Sequence, residues 1–532
     1  GYNTQNTVSV ASSSERSQSF VSAGSVNSRG IIPNNEYSRY NFTIRHGREL
    51  VKDKLELDTD FFFTKSESQN GVAQGLYYNP LLPVYLFPPS ENFERLKTYE
   101  IYDSGRNFAT MYWPYSNTGL DALSQNPYWI TNRNMFNTGK DRFLFGASLK
   151  YDVTDWLDIT GRARIDYTHI TAEQKNYAST LGLFAGDKGR YYNNTYTTSQ
   201  RYADVLANVH KTFADGAFSL NATLGASIED YKHRAILLGG DLTGVPNLFT
   251  LANMTTNKSQ AKETINDQTQ SLFATASFKY AGSLNFEVTG RNDWASTLAY
   301  TSHEGSGFFY YSAGASWVIG KMFELPRWIS FAKVRLTWSR VGNDIPMFIT
   351  NPKSHVTAGG GINAADAAPG TDLKPEMTNA LEAGLEWRFL DDRLGINLTY
   401  YKTNTHNQFF KLPALSGEAY AYRYENAGNI ENQGVEVSLN AYPVYGGALT
   451  WQSTVNFAHN RNRVIKLHDE LREYVYGPSS FSSSYAMKLV EGGSIGDFYV
   501  TGLKTDDQGR IYVDPNTNTV TTDPNTLSLI HI

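Results

Sequence analysis

The chain has no cysteine, no long apolar run and no block rich in lysine or arginine, although it extends to 532 residues. A chain without cysteine is suited to an oxidising compartment, where stray thiols mispair, although cytosolic chains also lack cysteine by chance. We take this absence as mild support for export. A formal net charge of −5 without a basic block gives no electrostatic footprint for a polynucleotide, so we expect no nucleic-acid partner.

No stretch approaches the roughly 18 consecutive apolar residues that a membrane-spanning helix needs. No charged segment followed by an apolar one opens the chain, so we expect no leader peptide there. Only helices and closed β-barrels satisfy every backbone hydrogen bond inside lipid. A barrel is therefore the remaining way for this chain to cross a bilayer.

A strict alternation of apolar and polar residues runs through residues 142–169, on both sides of a short polar turn. The polar positions include Lys150, Asp152, Arg162 and Arg164, and the apolar positions are Phe143, Phe145, Ala147, Leu149, Tyr151, Val153, Leu157, Ile159, Gly161, Ala163, Ile165 and Tyr167. Period two predicts an antiparallel hairpin, with arms about twice as long as the usual strand of 5 to 6 residues. Both a lipid-crossing hairpin and a hairpin of a large soluble β-sandwich fit this pattern.

The same hairpin design recurs along the chain. Further hairpins are predicted at 201–228, 272–290, 381–400 and 435–457, and single strands at 39–45, 54–64, 308–319 and 333–341. With an N-terminal pair, the total comes to about 16 strands.

The connections distinguish the two architectures. Short turns alternate with long segments at 65–139, 171–199, 231–268 and 342–377. Loops of this length are uncommon in compact soluble domains, whereas outer-membrane barrels have short periplasmic turns and long extracellular loops. We therefore predict an all-β fold, a transmembrane antiparallel β-barrel. About 16 strands would be too many for side chains to fill, so the barrel must enclose a channel or a plug.

Motifs for catalysis or metal binding are incomplete. Residues 492–496 match the pattern G-x-S-x-G, but a serine-rich loop precedes Ser494 and a strand-like segment follows it where a helix is needed. His303 and His468 lack the second histidine of a zinc protease. The loop from Asp514 to Asn525 has calcium-loop spacing without its glycine and glutamate, which favours a solvated turn. We predict no enzyme activity, no metal and no cofactor.

The first long connection is rich in aromatic residues, which are Tyr77, Tyr78, Tyr85, Tyr99, Tyr102, Tyr112, Trp113, Tyr115, Tyr128 and Trp129. Exposed aromatic rings stack on sugar faces or peptide side chains while their polar groups form hydrogen bonds. Packing of the loop on itself explains the same composition. Our candidate substrate-binding residues are Tyr112, Trp113, Tyr115, Tyr128 and Trp129.

Several short motifs follow one another along the chain. They are GIIPN at 30–34 with YNF at 40–42, NPYW at 126–129, RNDW at 291–294, RVGND at 340–344, LKPE at 373–376, NAGNIENQGVE at 426–436 and SIGDFY at 494–499. In these motifs the chain resembles the barrel of TonB-dependent outer-membrane transporters of the SusC/RagA-like family. The LKPE and NAGNIENQGVE segments are typical of TonB-dependent barrels, and RNDW followed by RVGND is typical of this subgroup.

The resemblance implies a barrel of about 22 strands in the outer membrane, in contact with its lipid and filled by an N-terminal plug. It also implies a TonB-ExbB-ExbD complex that acts through the N-terminal part, and a SusD-like surface lipoprotein. We expect residues 1–526 to form a partial barrel without the plug, and residues 527–532 to be a non-native tail. The expected function is TonB-coupled active import of nutrient oligomers, with oligosaccharides favoured over peptides. The alternative is a passive porin or a surface-binding barrel without energy coupling.

Overall fold

The computed structural model describes residues 1–71, 77–114, 125–254, 259–356, 361–414, 417–476, 485–503, 505, 507–511, 513, 520 and 527–531. Within these residues sixteen strands form one sheet, in which they follow one another in chain order and neighbouring strands are hydrogen-bonded. The sixteen are β1 (Tyr2–Ser14), β2 (Ser17–Arg29), β3 (Glu36–Val51), β4 (Leu55–Gln69), β7 (Asn134–Thr154), β8 (Leu157–Asn176), β9 (Arg190–Phe213), β10 (Phe218–Asp241), β11 (Ser259–Tyr280), β12 (Leu284–Ala295), β13 (Phe308–Val318), β14 (Ile329–Asn343), β17 (Glu376–Phe389), β18 (Leu394–Pro413), β19 (Tyr422–Val444) and β20 (Trp451–Lys466).

Short elements occupy several of the connections. They are α1 (Leu81–Tyr85), β5 (Glu100–Asp103), β6 (Phe108–Met111), α2 (Pro127–Arg133), β15 (His355–Val356), β16 (Ile362–Asn363) and the 3-10 turns Phe93–Lys97, Leu251–Asn253, Ser296–Leu298 and Ile319–Lys321. Within the described ranges, none of the helices is both long and apolar enough to cross a bilayer.

The chain divides into two compact units. The first contains residues 1–207, 225–270 and 356–363, and the second contains residues 208–224, 271–355 and 364–532. In the first unit, the alternating apolar and polar residues of the sequence lie on two chemically different faces of the sheet. Phe145 and Tyr151 on β7 are 44% and 48% exposed, whereas Lys150 on the opposite face lies 2.9 Å from the carboxylate of Asp152. The two sets of residues therefore lie on opposite faces of the hairpin, and the assignment of the apolar face to lipid stays a prediction.

The polar face of the first unit carries ion pairs between neighbouring strands. Arg162 on β8 donates two hydrogen bonds, of 2.9 and 2.6 Å, to the carboxylate of Asp204 on β9. Tyr202 donates a third, of 2.7 Å, to the same carboxylate. Because Asp204 is buried, its charge requires these partners. Arg142 and Asp166 form a second ion pair between β7 and β8.

The second unit has the same two faces. Leu336, Ala383, Tyr400 and Val435 are paired in one row across β14, β17, β18 and β19. On the opposite face Arg335 donates hydrogen bonds to Glu382 and Asn397, at 3.4 and 3.3 Å, and to Thr399. The apolar row and the polar groups are therefore separated by the pleat of the strands.

The strands extend further than the alternation predicts. The long connections occupy 70–133, 177–189, 242–258 and 344–375, so their predicted bounds were too wide. Where both faces of a strand are polar, as in the distal part of β8, the alternation disappears but the hydrogen-bond ladder continues. For example, Gln174 pairs with Phe136 of β7. Periodicity marks only the part of a strand whose two faces meet different surroundings.

A separate four-stranded sheet is formed in the second unit by β21 (Glu473–Tyr476), β22 (Tyr485–Val490), β23 (Phe498–Leu503) and β24 (Leu527–His531). In this sheet β24 pairs with β23, from Leu503 opposite Leu527 to Tyr499 opposite His531. A short apolar segment of any origin can add to a sheet edge in this way. The expectation that residues 527–532 are a non-native tail stays a prediction.

Ile165 tests the assignment of the faces, because it lies on the apolar face of β8 and is 41% exposed. Replacing Ile165 by arginine should destabilise the complete barrel. Its free energy of unfolding should fall by about 2 to 4 kcal/mol if the residue lies near the bilayer midplane. Arg164→Ile, on the polar face, should cost much less. Denaturant titration of the barrel in lipid vesicles measures both changes, and equal costs would contradict the assignment.

Candidate substrate-binding loops

The connections of the first unit form one hydrogen-bonded layer, which we call the loop layer. It consists of residues 77–114, 125–133, 177–189 and 242–254. The backbone N–H of Met111 donates to the hydroxyl of Ser179 at 2.9 Å, and Arg106 donates to the carbonyl of Asp187 at 2.9 Å. The first long connection is therefore attached to the second.

Asn126 determines where α2 begins. Its side-chain oxygen accepts the backbone N–H of Tyr128 at 2.9 Å, which is the usual role of asparagine at a helix N-cap, and Pro127 suits the first helical position. Its side-chain N–H group donates to the carbonyls of Leu96 and Tyr112, at 2.9 and 3.1 Å. This fully buried amide therefore holds α2 against two earlier segments of the layer.

Trp129 forms the centre of the same layer. Its side chain is completely buried, and the indole N–H donates to the hydroxyl of Thr180 at 3.0 Å. Thr180 in turn donates to the side-chain oxygen of Asn134 at 3.0 Å. A buried tryptophan needs such a partner for its N–H group, so Trp129 packs the layer together.

Arg133, at the end of α2, joins this helix to β5 by an ion pair. Its guanidinium donates two hydrogen bonds of 2.7 Å to Glu100 on β5 and lies over the rings of Tyr177 and Tyr99, at 5.0 and 5.7 Å. The hydrogen bonds to Glu100 raise the pKa of Arg133 above its usual value, so this group keeps its charge at any relevant pH. A bidentate pair fixes the orientation of both side chains.

A second buried amide joins the ends of the connections. Asn176 donates to the hydroxyl of Tyr78 at 2.8 Å and to the carbonyl of Phe184 at 2.9 Å. The ring of Tyr78 lies 5.0 Å from that of Phe136 and 4.8 Å from that of Phe184. Burial raises the pKa of Tyr78, so its hydroxyl stays protonated.

The third connection is organised around Asn253. Its side-chain oxygen accepts from the backbone N–H groups of Gly244 and Val245, at 3.0 and 2.9 Å. Its N–H group donates to the carbonyls of Val245 and Leu248, at 2.7 and 2.9 Å. One amide therefore satisfies four backbone groups of the turn, beside a small apolar cluster of Leu242, Met254 and Tyr191.

The structure separates the predicted site residues. Tyr112, Trp113 and Tyr128 are partly exposed, and Tyr112 and Tyr128 are joined through Asn126. Trp129 is buried and packs the layer, while Tyr115 lies outside the described residues. Substrate binding by these residues stays a prediction, which among the described residues concerns the three that are partly exposed.

Other exposed groups of the layer were not selected from the sequence. Tyr85 and Tyr102 are 83% and 62% exposed, and Leu86, Ile101 and Leu183 are also exposed. The two tyrosines belong to the aromatic composition of the connection, but no spacing distinguishes them from buried aromatics. The aliphatic residues carry no sequence signal at all.

Two of the motifs meet in the second unit. The backbone N–H of Lys374 donates to the side-chain oxygen of Asn426 at 2.8 Å, and Asn426 donates to the carbonyls of Lys374 and Asn407, at 2.8 and 2.7 Å. Within the NAGNIENQGVE segment, a Cβ on Gly434 would clash with the carbonyl of His459 and the hydroxyl of Tyr401. These motifs therefore hold strands and loops together.

The segments that resembled catalytic motifs have structural contacts. The hydroxyl of Ser494 accepts the backbone N–H of Gly496 at 3.2 Å within a turn, and no helix follows it. His468 lies 2.8 Å from the carboxylate of Glu425. In the described part of the chain, no three histidine, aspartate or glutamate side chains form a group able to hold a metal. The Asp514–Asn525 loop lies outside the described residues.

The family model for TonB dependent receptor-like β-barrels matches residues 85–528. The chain belongs to this family. The TonB-dependent receptor SusC of Bacteroides thetaiotaomicron is 24% identical over an alignment of 543 positions, which covers 94% of this chain and 51% of SusC. A TonB-dependent receptor of Formosa agariphila is 25% identical over 403 residues, or 72% of this chain and 39% of the relative. This chain thus spans about half or less of the length of these relatives.

Solved structures share the fold. The RagAB peptide importer in its open-open state gives a TM-score of 0.76 at 16% identity, covering 99% of this chain and 57% of that one. The ferripyoverdine receptor of the outer membrane of Pseudomonas aeruginosa gives 0.52 at 12% identity, covering 99% and 62%. The predicted SusC/RagA-like family, the antiparallel barrel fold and the outer-membrane location are confirmed.

The packing role of Trp129 can be tested by substitution. Trp129→Ala should lower the local stability of the loop layer by about 3 to 5 kcal/mol, because it leaves a cavity and removes the hydrogen bond to Thr180. Amide hydrogen exchange of residues 93–114 and 177–185 should then become faster. Tyr85→Ala, at an exposed position, is the matched control and should leave exchange unchanged; equally slow exchange in both variants would contradict the assignment.

Proposed function

We propose that the full-length protein imports nutrient oligomers across the outer membrane, with energy delivered by the TonB-ExbB-ExbD complex and with a SusD-like surface lipoprotein as its partner. Membership of the TonB-dependent receptor-like family supports the energy coupling, and similarity to SusC supports the subgroup. The observation that carries the substrate part is the set of partly exposed rings of Tyr112, Trp113 and Tyr128, held on a hydrogen-bonded layer.

Such a layer suits a large, neutral ligand. Aromatic side chains offer flat apolar area, and Asn126 holds the backbone at Tyr112 and Tyr128, which reduces the entropy lost on binding. Sugar rings, with apolar faces and hydroxyl edges, match this chemistry, so we favour oligosaccharides. Peptides are the second candidate substrate class, which the similarity in fold to the RagAB peptide importer supports.

We further propose that the protein is a transporter without catalytic activity. The family consists of receptors and transporters, and Ser494, the residue closest to a nucleophile motif, lies in a turn with its hydroxyl bonded to Gly496. A nucleophile elbow requires a strand before the serine and a helix after it. The contacts of Ser494 therefore favour a structural role.

Energy coupling is tested by uptake. Cells that carry the intact gene should take up fluorescently labelled oligosaccharides, and uptake should cease when TonB is deleted or the proton gradient is dissipated. A passive porin would continue to admit the same molecules in both cases. Labelled peptides in a parallel assay distinguish the two substrate classes.

The aromatic surface is tested in the same system. Trp113→Ala should weaken binding of the transported oligomer by about 2 kcal/mol, or roughly 30-fold, if its ring is a central contact. The layer itself should remain folded, as judged by unchanged hydrogen exchange. Tyr85→Phe removes only a hydroxyl at an exposed position and should bind normally. Unchanged affinity in the Trp113→Ala variant would show that Trp113 does not contact the transported oligomer.

A further inference from the structure

A strip of positive charge lies on the apolar face of the second unit, which we call the cationic strip and define as Lys402, Arg461 and Arg463. In the strand register Lys402 is opposite Gln433, and Gln433 is opposite Arg461. Arg463 follows two residues later on β20 and therefore shares the face of Arg461. The strip thus crosses β18 and β20, with β19 between them.

On β18, β19 and β20 the strip begins where the apolar residues of this face end, whereas on β17 and β14 the same row continues with Leu381 and Trp338. The next row of the same face is Tyr400, Val435 and His459, and the row beyond it is Leu398, Val437 and Phe457. From Leu394, at the short-turn end, to Lys402 is about 27 Å along a strand, or about 20 Å along the membrane normal at the usual tilt. Since the apolar band of such barrels is about 25 Å tall, Lys402 lies close to its upper edge.

The strip has more positive than negative charge. Lys402 lies 2.9 Å from the carboxylate of Glu431, which also accepts a hydrogen bond of 3.2 Å from Asn404. Arg461 and Arg463 are exposed, and neither forms an ion pair with any residue that the structure describes. Among the described residues one carboxylate, that of Glu431, therefore faces three cations, and in the register Glu431 is opposite Arg463.

The first row that follows the apolar residues of this face in the first unit is different. There Lys65 on β4 lies 3.4 Å from Glu67 and 3.8 Å from Asp141, so two carboxylates surround one cation. Tyr40 is opposite Lys65 in the same row. A polar belt above the apolar band therefore does not require an excess of positive charge, and the cationic strip is a distinct feature of the second unit.

The position and chemistry together identify the ligand. This face of the sheet meets lipid, and the end of the strands that carries the long connections lies on the extracellular side in this family, so the strip is at the level of the outer-leaflet headgroups. Arginine binds phosphate with two parallel hydrogen bonds. Neighbouring strands lie about 4.8 Å apart, which places Lys402 and Arg461 about 10 Å apart, within reach of one headgroup for two long side chains.

We propose that Lys402, Arg461 and Arg463 form a binding site for the phosphorylated headgroup of an outer-leaflet glycolipid. The guanidinium groups of Arg461 and Arg463 bind phosphate oxygens. The amide of Gln433, between Lys402 and Arg461 in the row, offers hydrogen bonds to sugar hydroxyls. The lipid chains lie along the apolar residues below the strip.

The test uses the full-length receptor in a nonionic detergent, titrated with bis-phosphorylated lipid A and followed by native mass spectrometry. The double variant Arg461→Gln/Arg463→Gln leaves the Lys402–Glu431 ion pair intact, so that no charge loses its partner. We expect its affinity for this lipid to fall about tenfold or more. The same lipid without phosphates should bind the unmodified receptor as weakly as the phosphorylated lipid binds the double variant.

The matched control, Lys333→Gln/Arg388→Gln, removes two positive charges from the opposite face of the same unit and should retain full affinity. Heat-modifiable gel migration verifies that all the proteins are folded, and the single variants of Arg461 and Arg463 replace the double variant if it does not fold. Equal binding by the double variant and the unmodified receptor would overturn the proposal. So would equal binding of the phosphate-free lipid, or displacement of lipid A by inorganic phosphate at millimolar concentration, which would indicate a site for a free anion.

Discussion

Inside a lipid layer every backbone N–H and C=O group must find its partner within the protein, and the rest of this structure depends on that requirement. The chain meets it with a ladder that runs from strand to strand in chain order. Because each strand pairs with its predecessor, hairpins suffice and no crossover is needed. The strands are accordingly long, with 21 residues in β7 and 24 in β9.

A ladder of this kind leaves the side chains free to differ on the two faces. In the first unit one face exposes Phe145 and Tyr151, and the other carries the buried carboxylate of Asp204 with its partners Arg162 and Tyr202. The apolar face is solvated by lipid and the polar face by water, so neither resembles the core of a soluble sheet. Charges at the edge of the apolar band lie at the level of the lipid headgroups, and we proposed above that the cationic strip binds such a headgroup.

Outside the ladder, the loop layer is stabilised in another way. Its connections are too polar to form a large hydrophobic core, and buried amides such as Asn126, Asn176 and Asn253 bond to the backbone groups of the turns. Trp129 supplies the central apolar packing. A layer held in this manner keeps the backbone of the partly exposed residues Tyr112 and Tyr128 in a fixed arrangement.

The sequence by itself determined the hairpins, the two faces and the family, because strand periodicity is local and motifs such as LKPE and NAGNIENQGVE are contiguous. The tertiary structure decided which aromatic residues are exposed, since Trp129 and Tyr128 are neighbours in sequence but only Trp129 is buried. It also decided that Lys402 and Arg461 share one row, 59 positions apart in the chain. Such contacts depend on loop packing and on register across several strands, and no local pattern records either.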